Sequence, residues 1–387
     1  MTNRIDFEKQ FHNYKEAKLQ HRYITNKHIE PLLKSLNGDF KVDTIGFSVN
    51  KKPVYGVKFG SGEIKILMWS QMHGNESTTT KVLFDLFNSF SHIDNTTVIK
   101  ACTFYFIPIL NPDGAKAYTR VNANNVDLNR DAQNLSQPES RILRQVFDEF
   151  KPDYCFNLHG QRTIFSAGEA NASATLSFLA PAQDEACTVT ANRQKAMELI
   201  AGMNAFLQDH IPNQVGIYDD AFNINCVGDT FQSQSVPTIL FEAGHFANDY
   251  SREVVRKYLF MSMLGALNLI VSDHDTLGLN YQGYFNIPEN KKLFYDIIIR
   301  NARVITSEGE SVMDIAFQFE EILKDNEVVF NPIVKKFGDL SKYYGHNTIE
   351  AREQLLELPK NKSLKVSNSI DFVIINNKIF LLNSVNN

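Results

Sequence analysis

Cysteine is scarce: four residues in 387, too few and too scattered for a disulfide framework. Cys102, Cys155, Cys187 and Cys226 form no C-x-x-C pair and read as reduced, buried thiols. Positive charge is in short supply as well. The 39 Lys and Arg stand against 44 Asp and Glu, a net charge of −5, so there is no basic footprint and nucleic acid is not expected as a partner. No run approaches ~18 uncharged apolar residues, so neither a membrane-spanning helix nor a membrane partner is expected. The opening stretch MTNRIDFEKQFHNYKE is polar and lacks the apolar segment of a secretory signal, which makes a cytoplasmic location the expectation. There is no internal repeat and no long low-complexity stretch. What remains is 43% hydrophobic residues, including 29 phenylalanines, with 21% charged. That profile suits a packed globular chain and excludes wholesale disorder. At ~150 residues per domain the length allows two or three domains, or one large domain with an appendage. The oligomeric state is not legible.

Residues 1–40 are polar and helix-like, with Ile29, Leu32, Leu33 and Leu36 at helical spacing until Gly38. Strand-like runs follow at 54–59 and 64–69, then a loop, SQMHGNE, and a helix over 77–90. A long apolar run over 98–109 reads as a strand. A helix is expected from Ser136 to about Phe150, with Ser136 as cap, Pro138 in the first turn and Glu139 at the capping-box position. Strands over 154–158, 176–180 and 238–241 alternate with helices over 184–209 and 251–271. This alternation predicts an α/β fold, a mixed, largely parallel sheet flanked by helices. After about residue 273 the pattern becomes short strands and turns, with Asn376-Asn377 as a hairpin turn. Three parts are therefore expected: an N-terminal helical segment over 1–40, an α/β domain over 41–274, and a small β-rich domain over 275–387.

Chemistry-bearing residues gather at predicted strand ends, where open α/β sheets place their sites. His73 and Glu76, in His-Gly-Asn-Glu, lie in the loop after the second strand. Alone they are equally well a loop histidine and a glutamate at a helix N-terminus. His159 ends the run Tyr154-Cys-Phe-Asn-Leu and precedes Gly160. Taken singly it is an ordinary hydrogen-bonding histidine. Glu242 closes the apolar strand Thr-Ile-Leu-Phe, where a carboxylate needs a partner because unpaired buried charge is costly. Asn111-Pro-Asp-Gly114 is strong turn chemistry. Arg120 and the segment Asp127-Leu-Asn129-Arg130 bring guanidinium groups suited to bidentate pairing with a carboxylate, or else to ordinary surface ion pairs.

In this order the series resembles the zinc metallocarboxypeptidase family, of which carboxypeptidase A is the type; the likeness covers roughly residues 41–272. The resemblance implies that His73, Glu76 and His159 hold one Zn²⁺ and that Glu242 is the general base. It implies that Arg120 stabilises the oxyanion, and that Asn129 and Arg130 hold the terminal carboxylate of a peptide substrate. Tyr218 is the nearest match to the family's tyrosine over the substrate, although the segment around it does not align cleanly. Arg162 and Asp229 lie near the motifs, and His245 lies just past Glu242. Within the same superfamily, an N-acyl amino acid deacylase like succinylglutamate desuccinylase or aspartoacylase would use the same zinc set on a smaller substrate with a free carboxylate. A non-catalytic binding protein that keeps the fold is a third reading. The C-terminal domain is either a structural appendage or a part that shapes the pocket, and His346 reaches the site only if that domain folds over it.

Overall fold

A computed structural model describes residues 7–92, 96–306, 309–360 and 362–383; residues 1–6 and 384–387, at the outer edges of the two expected flanking segments, lie outside the described residues. The strands of the first part are β1 Lys41–Phe47, β2 Pro53–Gly60, β3 Ile64–Ser70, β4 Cys102–Ile107, β5 Tyr154–Gly160, β6 Phe165–Ala167, β7 Leu176–Leu179, β8 Val215–Ile217 and β9 Thr238–Ala243. All but β6 form one sheet of order β1-β2-β4-β3-β5-β9-β7-β8. Its centre, β4-β3-β5-β9, is parallel, and β1, β2 and β7 enter antiparallel. The central strands are buried on both faces, so they are nearly continuous apolar runs rather than alternating ones. The α/β expectation is met.

The helices are α1 Phe7–Tyr14, α2 Asn26–Ser35, α3 Thr78–Phe90, α4 Thr96–Ala101, α5 Pro112–Ala117, α6 Pro138–Phe150, α7 Ala191–Leu207, α8 Val227–Ser233 and α9 Glu253–Ser272. Helix α9 is long and apolar enough to cross a membrane by length and composition, but 67% of its apolar window is buried inside the protein. It packs against α1, α3 and α7 as the central core helix. The N-terminal segment belongs to this core: Phe7, Phe11, Leu19, Ile29, Leu32 and Leu33 join the same cluster. Arg256 of α9 staples it down by donating to the Leu19 and Glu16 carbonyls while pairing with buried Asp85.

Three local expectations are corrected. Residues 98–101 are helical, and the strand begins only at Cys102; Val98 is buried, and a short apolar run cannot tell buried helix from buried strand. The N-cap position of helix α6 is Gln137, whose side chain makes no capping bond, and not Ser136, whose hydroxyl and N–H both donate to Asp131. Glu139 turns inward instead of closing a capping box, accepting from the Val49 N–H and from Asn122. The helix expected from 184 starts at Ala191, where the Thr190 side chain caps it by accepting from the Arg193 N–H.

The C-terminal part has longer strands than expected: β10 Asn290–Lys292, β11 Phe294–Thr306, β12 Gly309–Lys324, β13 Glu327–Gly338, β14 Tyr344–Glu350, β15 Leu356–Glu357, β16 Phe372–Ile375 and β17 Lys378–Leu381. They form sheets of order β13-β12-β11-β14 and β15-β16-β17, while β10 pairs with β6. Asn376 and Asn377 both take positive φ, 49° and 60°, as a tight hairpin turn requires. This part is docked firmly against the first. Asp296 accepts from Tyr250 Oη at 2.9 Å, and Tyr344 Oη donates to the Glu169 carbonyl at 2.9 Å. His346 stacks on Phe294 and contacts the Thr163 carbonyl through Nε2 at 2.7 Å.

Candidate metal centre and active site

The carboxyl ends of β3, β5 and β9 lie side by side, and the charged residues sit just there. Beyond β3 the chain turns through Gln71 at φ 45°. The Gln71 side chain holds the loop by donating to the Gly74 carbonyl at 2.7 Å. Gly74 is obligatory, because a Cβ there would lie 2.0 Å from the Gly114 backbone. The Asn111–Gly114 turn opens α5: Asn111 Oδ1 caps Gly114 N–H at 2.8 Å, and its amide donates to the Met72 carbonyl at 3.1 Å. This turn is thus a clamp on the loop that carries His73.

His73 and His159 are each only 2% exposed, and their Nδ1 atoms face each other at 3.1 Å. Glu76 bridges them, with Oε1 2.9 Å from His73 Nδ1 and Oε2 3.0 Å from His159 Nδ1. One ligand atom from each of the three lies within 4.8 Å of the others. Two ring nitrogens directed at one another across a carboxylate concentrate lone pairs and negative charge in one small volume, an arrangement that a cation satisfies. Two imidazoles and a carboxylate form a borderline donor set that suits zinc, and three protein ligands leave a fourth position open. His73 Nε2 bonds Asp127 Oδ1 at 3.0 Å, which orients the ring as an outer carboxylate does for a metal-bound histidine.

Glu242 is the register partner of His159 across the parallel β5/β9 pair, so both side chains emerge on one face. Its Oε2 is buried and has no hydrogen-bond partner. Burial, aided by the negative charge of Glu76, pushes its carboxyl well above the usual range. A buried, unsatisfied carboxyl group that can take a proton is costly to keep, which marks it as functional. Arg120 is half exposed and reaches Asp127 Oδ2 through Nε at 3.1 Å and Glu76 Oε1 through Nη1 at 3.4 Å. Asn129 is fixed by its Oδ1, which accepts the Val227 N–H of α8 at 3.1 Å, and Arg130 donates to the Asn129 carbonyl at 2.8 Å. Tyr218 donates its hydroxyl to Gln161 Oε1 at 2.8 Å. His73, Glu76, His159, Glu242, Arg120, Asn129, Arg130 and Tyr218 were all expected from sequence, and all eight line one cavity of about 670 Å³; Asp127, the partner of His73, was not singled out and lies behind that lining.

The remaining sequence candidates divide. Arg162 and Asp229 line the cavity, and burial raises the Asp229 carboxyl to about 6. His245 does not line it; the ring is buried against Tyr250 and, at 4.2 Å, His346. His346 is likewise absent from the lining, although its domain does fold against the site. Several residues of the site escaped sequence reasoning. Asp127, which holds His73 from behind the lining, carried a signal, since it stands within the Asp-Leu-Asn-Arg segment. Arg252 binds the Ala243 and Gln161 carbonyls, both at 2.6 Å, and so ties together the ends of β9 and β5. Burial, with Arg22 nearby, lowers its pKa to about 10. Arg22, Gln318, Phe319 and Glu321 also line the cavity, and nothing in their local sequence marks them.

Residues 29–218 match the model of the zinc carboxypeptidase family. The chain carries a zinc carboxypeptidase domain. The matched family is zinc-dependent, in keeping with the His73-Glu76-His159 donor set. Among curated proteins, carboxypeptidase SOL1 of Arabidopsis thaliana is 28% identical over 165 residues, 36% of this chain and 33% of that one. The aligned stretch therefore spans about a third of that relative's length. Among solved structures, a Shewanella denitrificans protein named for carboxypeptidase A has a TM-score of 0.55 at 16% identity, covering 64% of this chain and 69% of that one. A metallo-carboxypeptidase from Burkholderia cenocepacia gives 0.52 at 20% identity, covering 65% and 70%. These structures share the carboxypeptidase fold. The relatives are carboxypeptidases rather than deacylases, and the deacylase and binding-protein readings gain no support from them.

Proposed function

We propose that this protein is a carboxypeptidase that removes the C-terminal residue of peptides, with one zinc ion held by His73, Glu76 and His159. The observation that carries this reading is the convergence of that donor set with the unpaired Glu242 carboxyl and four further groups, Arg120, Asn129, Arg130 and Tyr218, in one cavity. When bound, zinc supplies Lewis acidity, which lowers the pKa of water and polarises a carbonyl. Asp127 holds the His73 ring in its liganding orientation. Glu242 takes the proton of the attacking water and delivers it to the departing amine; its Oε2, free of any protein partner, is available for both halves of that transfer. Arg120, partly exposed at the cavity edge, faces the oxyanion as it forms. Arg130 and Asn129 hold the free terminal carboxylate, and this restricts cleavage to a chain end. Tyr218 covers the bound substrate from the β8 side.

The test compares a peptide with a free C-terminus to the same peptide amidated, using zinc-loaded protein. Release of the terminal residue from the free peptide alone is expected. Equal cleavage of both would overturn the role of Arg130, and loss of neither peptide would overturn the peptidase assignment.

A further inference from the structure

The C-terminal sheet enters the catalytic cavity. Strand β12 lays Gln318, Phe319 and Glu321 into its wall. The cavity has two ends. At one, Arg130 donates to the Asn129 carbonyl and stands three residues from Asp127, which bonds His73 Nε2 at 3.0 Å. At the other, the loop that leaves His159 is held through the Gln161 carbonyl by Arg252 at 2.6 Å and through Thr163 Oγ1 by Gln318 of β12 at 2.6 Å. The donor set thus lies between the Arg130 end and the wall that β12 supplies.

That wall is fixed in place. Glu321 accepts from Arg22 Nη2 with both oxygens, at 3.0 and 2.9 Å, and from Tyr118 Oη at 2.6 Å. Arg22 comes from the segment before α2 and Tyr118 from the end of α5, so three separate parts of the chain meet at one carboxylate. One residue pair along, Gln318 donates to Thr163 Oγ1 at 2.6 Å, and the Phe319 N–H donates to Asp296 at 2.7 Å. Phe319 is backed by the rings of Tyr250 and Phe330. Charge-assisted bonds of this kind are stronger than neutral ones and fix geometry.

A substrate whose carboxylate is held at Arg130 runs its acyl part past the donor set and toward β12. Extended chain advances ~3.3 Å per residue, so each added residue needs new room. A volume of about 670 Å³ is typical of sites that enclose one small ligand. We infer that the C-terminal sheet ends the acyl side of the cavity, so that this enzyme acts on dipeptides and tripeptides rather than on the ends of polypeptides. This inference rests on the carboxypeptidase reading above.

The experiment uses zinc-loaded full-length protein and synthetic peptides that share one C-terminal residue and grow from two to eight residues at the other end. The kcat/KM is expected to be highest at two or three residues and at least tenfold lower from five onward. The octapeptide is also expected not to compete with tripeptide hydrolysis. Equal kcat/KM at all lengths, or competition by the octapeptide as strong as that by a second tripeptide, overturns the inference while leaving the carboxypeptidase reading intact. No cleavage at any length overturns that reading and the inference with it. The Phe319→Ala variant is expected to recover at least threefold in relative kcat/KM for the longer peptides. An unchanged length profile in a folded Phe319→Ala protein places the limit elsewhere and counts against the wall.

Discussion

Around the His73-Glu76-His159 donor set, the side chains come from the adjoining ends of parallel strands in one sheet, and the loop holding His73 is clamped by Gln71, Asn111 and Gly74. At the β12 end, the wall is assembled from segments as far apart as Arg22 and Glu321, 299 residues distant in sequence. The first region packs ionisable groups together at high local cost: His73, His159 and Glu76 crowd within hydrogen-bond reach, and Glu242 has a buried oxygen with no partner. The second region pairs its carboxylates. Glu321 takes a guanidinium and a phenol, and Asp296 takes a phenol and a backbone N–H. The difference teaches where the protein stores reactivity and where it stores shape. The unpaired carboxylate oxygen marks the chemistry, and the paired carboxylates mark the wall.

Substitutions sharpen that contrast, beginning with the largest effect. Glu242→Gln is expected to lower kcat by ~10²–10⁴-fold, the usual weight of a general base, with zinc content and melting temperature preserved. Steady-state kinetics beside elemental analysis would show it, and kcat within threefold of the original protein would remove Glu242 from the mechanism. Asp127→Asn is expected to weaken zinc binding by ~10–100-fold, because the amide orients His73 without the carboxylate's charge. Competition with a chelator of known affinity measures this. Glu321→Gln leaves the buried Arg22 facing a neutral group and is expected to cost about 1.5 kcal/mol of stability. Denaturant unfolding reads that loss, and zinc affinity should stay unchanged. A shift in zinc affinity as large as that of Asp127→Asn would erase the distinction between the two regions.

The same contrast explains what the amino-acid sequence made legible. Glu242 and His159 stand out because each closes an apolar run, and parallel strands buried on both faces are written as such runs. The order of the motifs then pointed to the family and to the donor set, Glu242, Arg120, Asn129 and Arg130 in the cavity's lining. The wall on β12 was not legible. Glu321 sits among Glu320, Ile322 and Lys324, an alternation like that of any half-exposed strand, and only Arg22 and Tyr118 reveal its task. Arg252 was hidden for the same reason, since its two carbonyl partners are Ala243 at the end of β9 and Gln161 just past β5, rather than residues of its own turn. The run 98–109 misled because Val98 and Ile99 are as apolar in a buried helical turn as in a strand.

The central claim is that one zinc ion on His73, Glu76 and His159 makes this protein a peptide hydrolase. Its most direct test is to strip the protein with a chelator and follow tripeptide hydrolysis as zinc is added back. The account predicts no activity in the stripped protein and a rate that rises linearly to a plateau at one zinc per chain. Activity that survives stripping, or that reaches its plateau only at two equivalents, would contradict it.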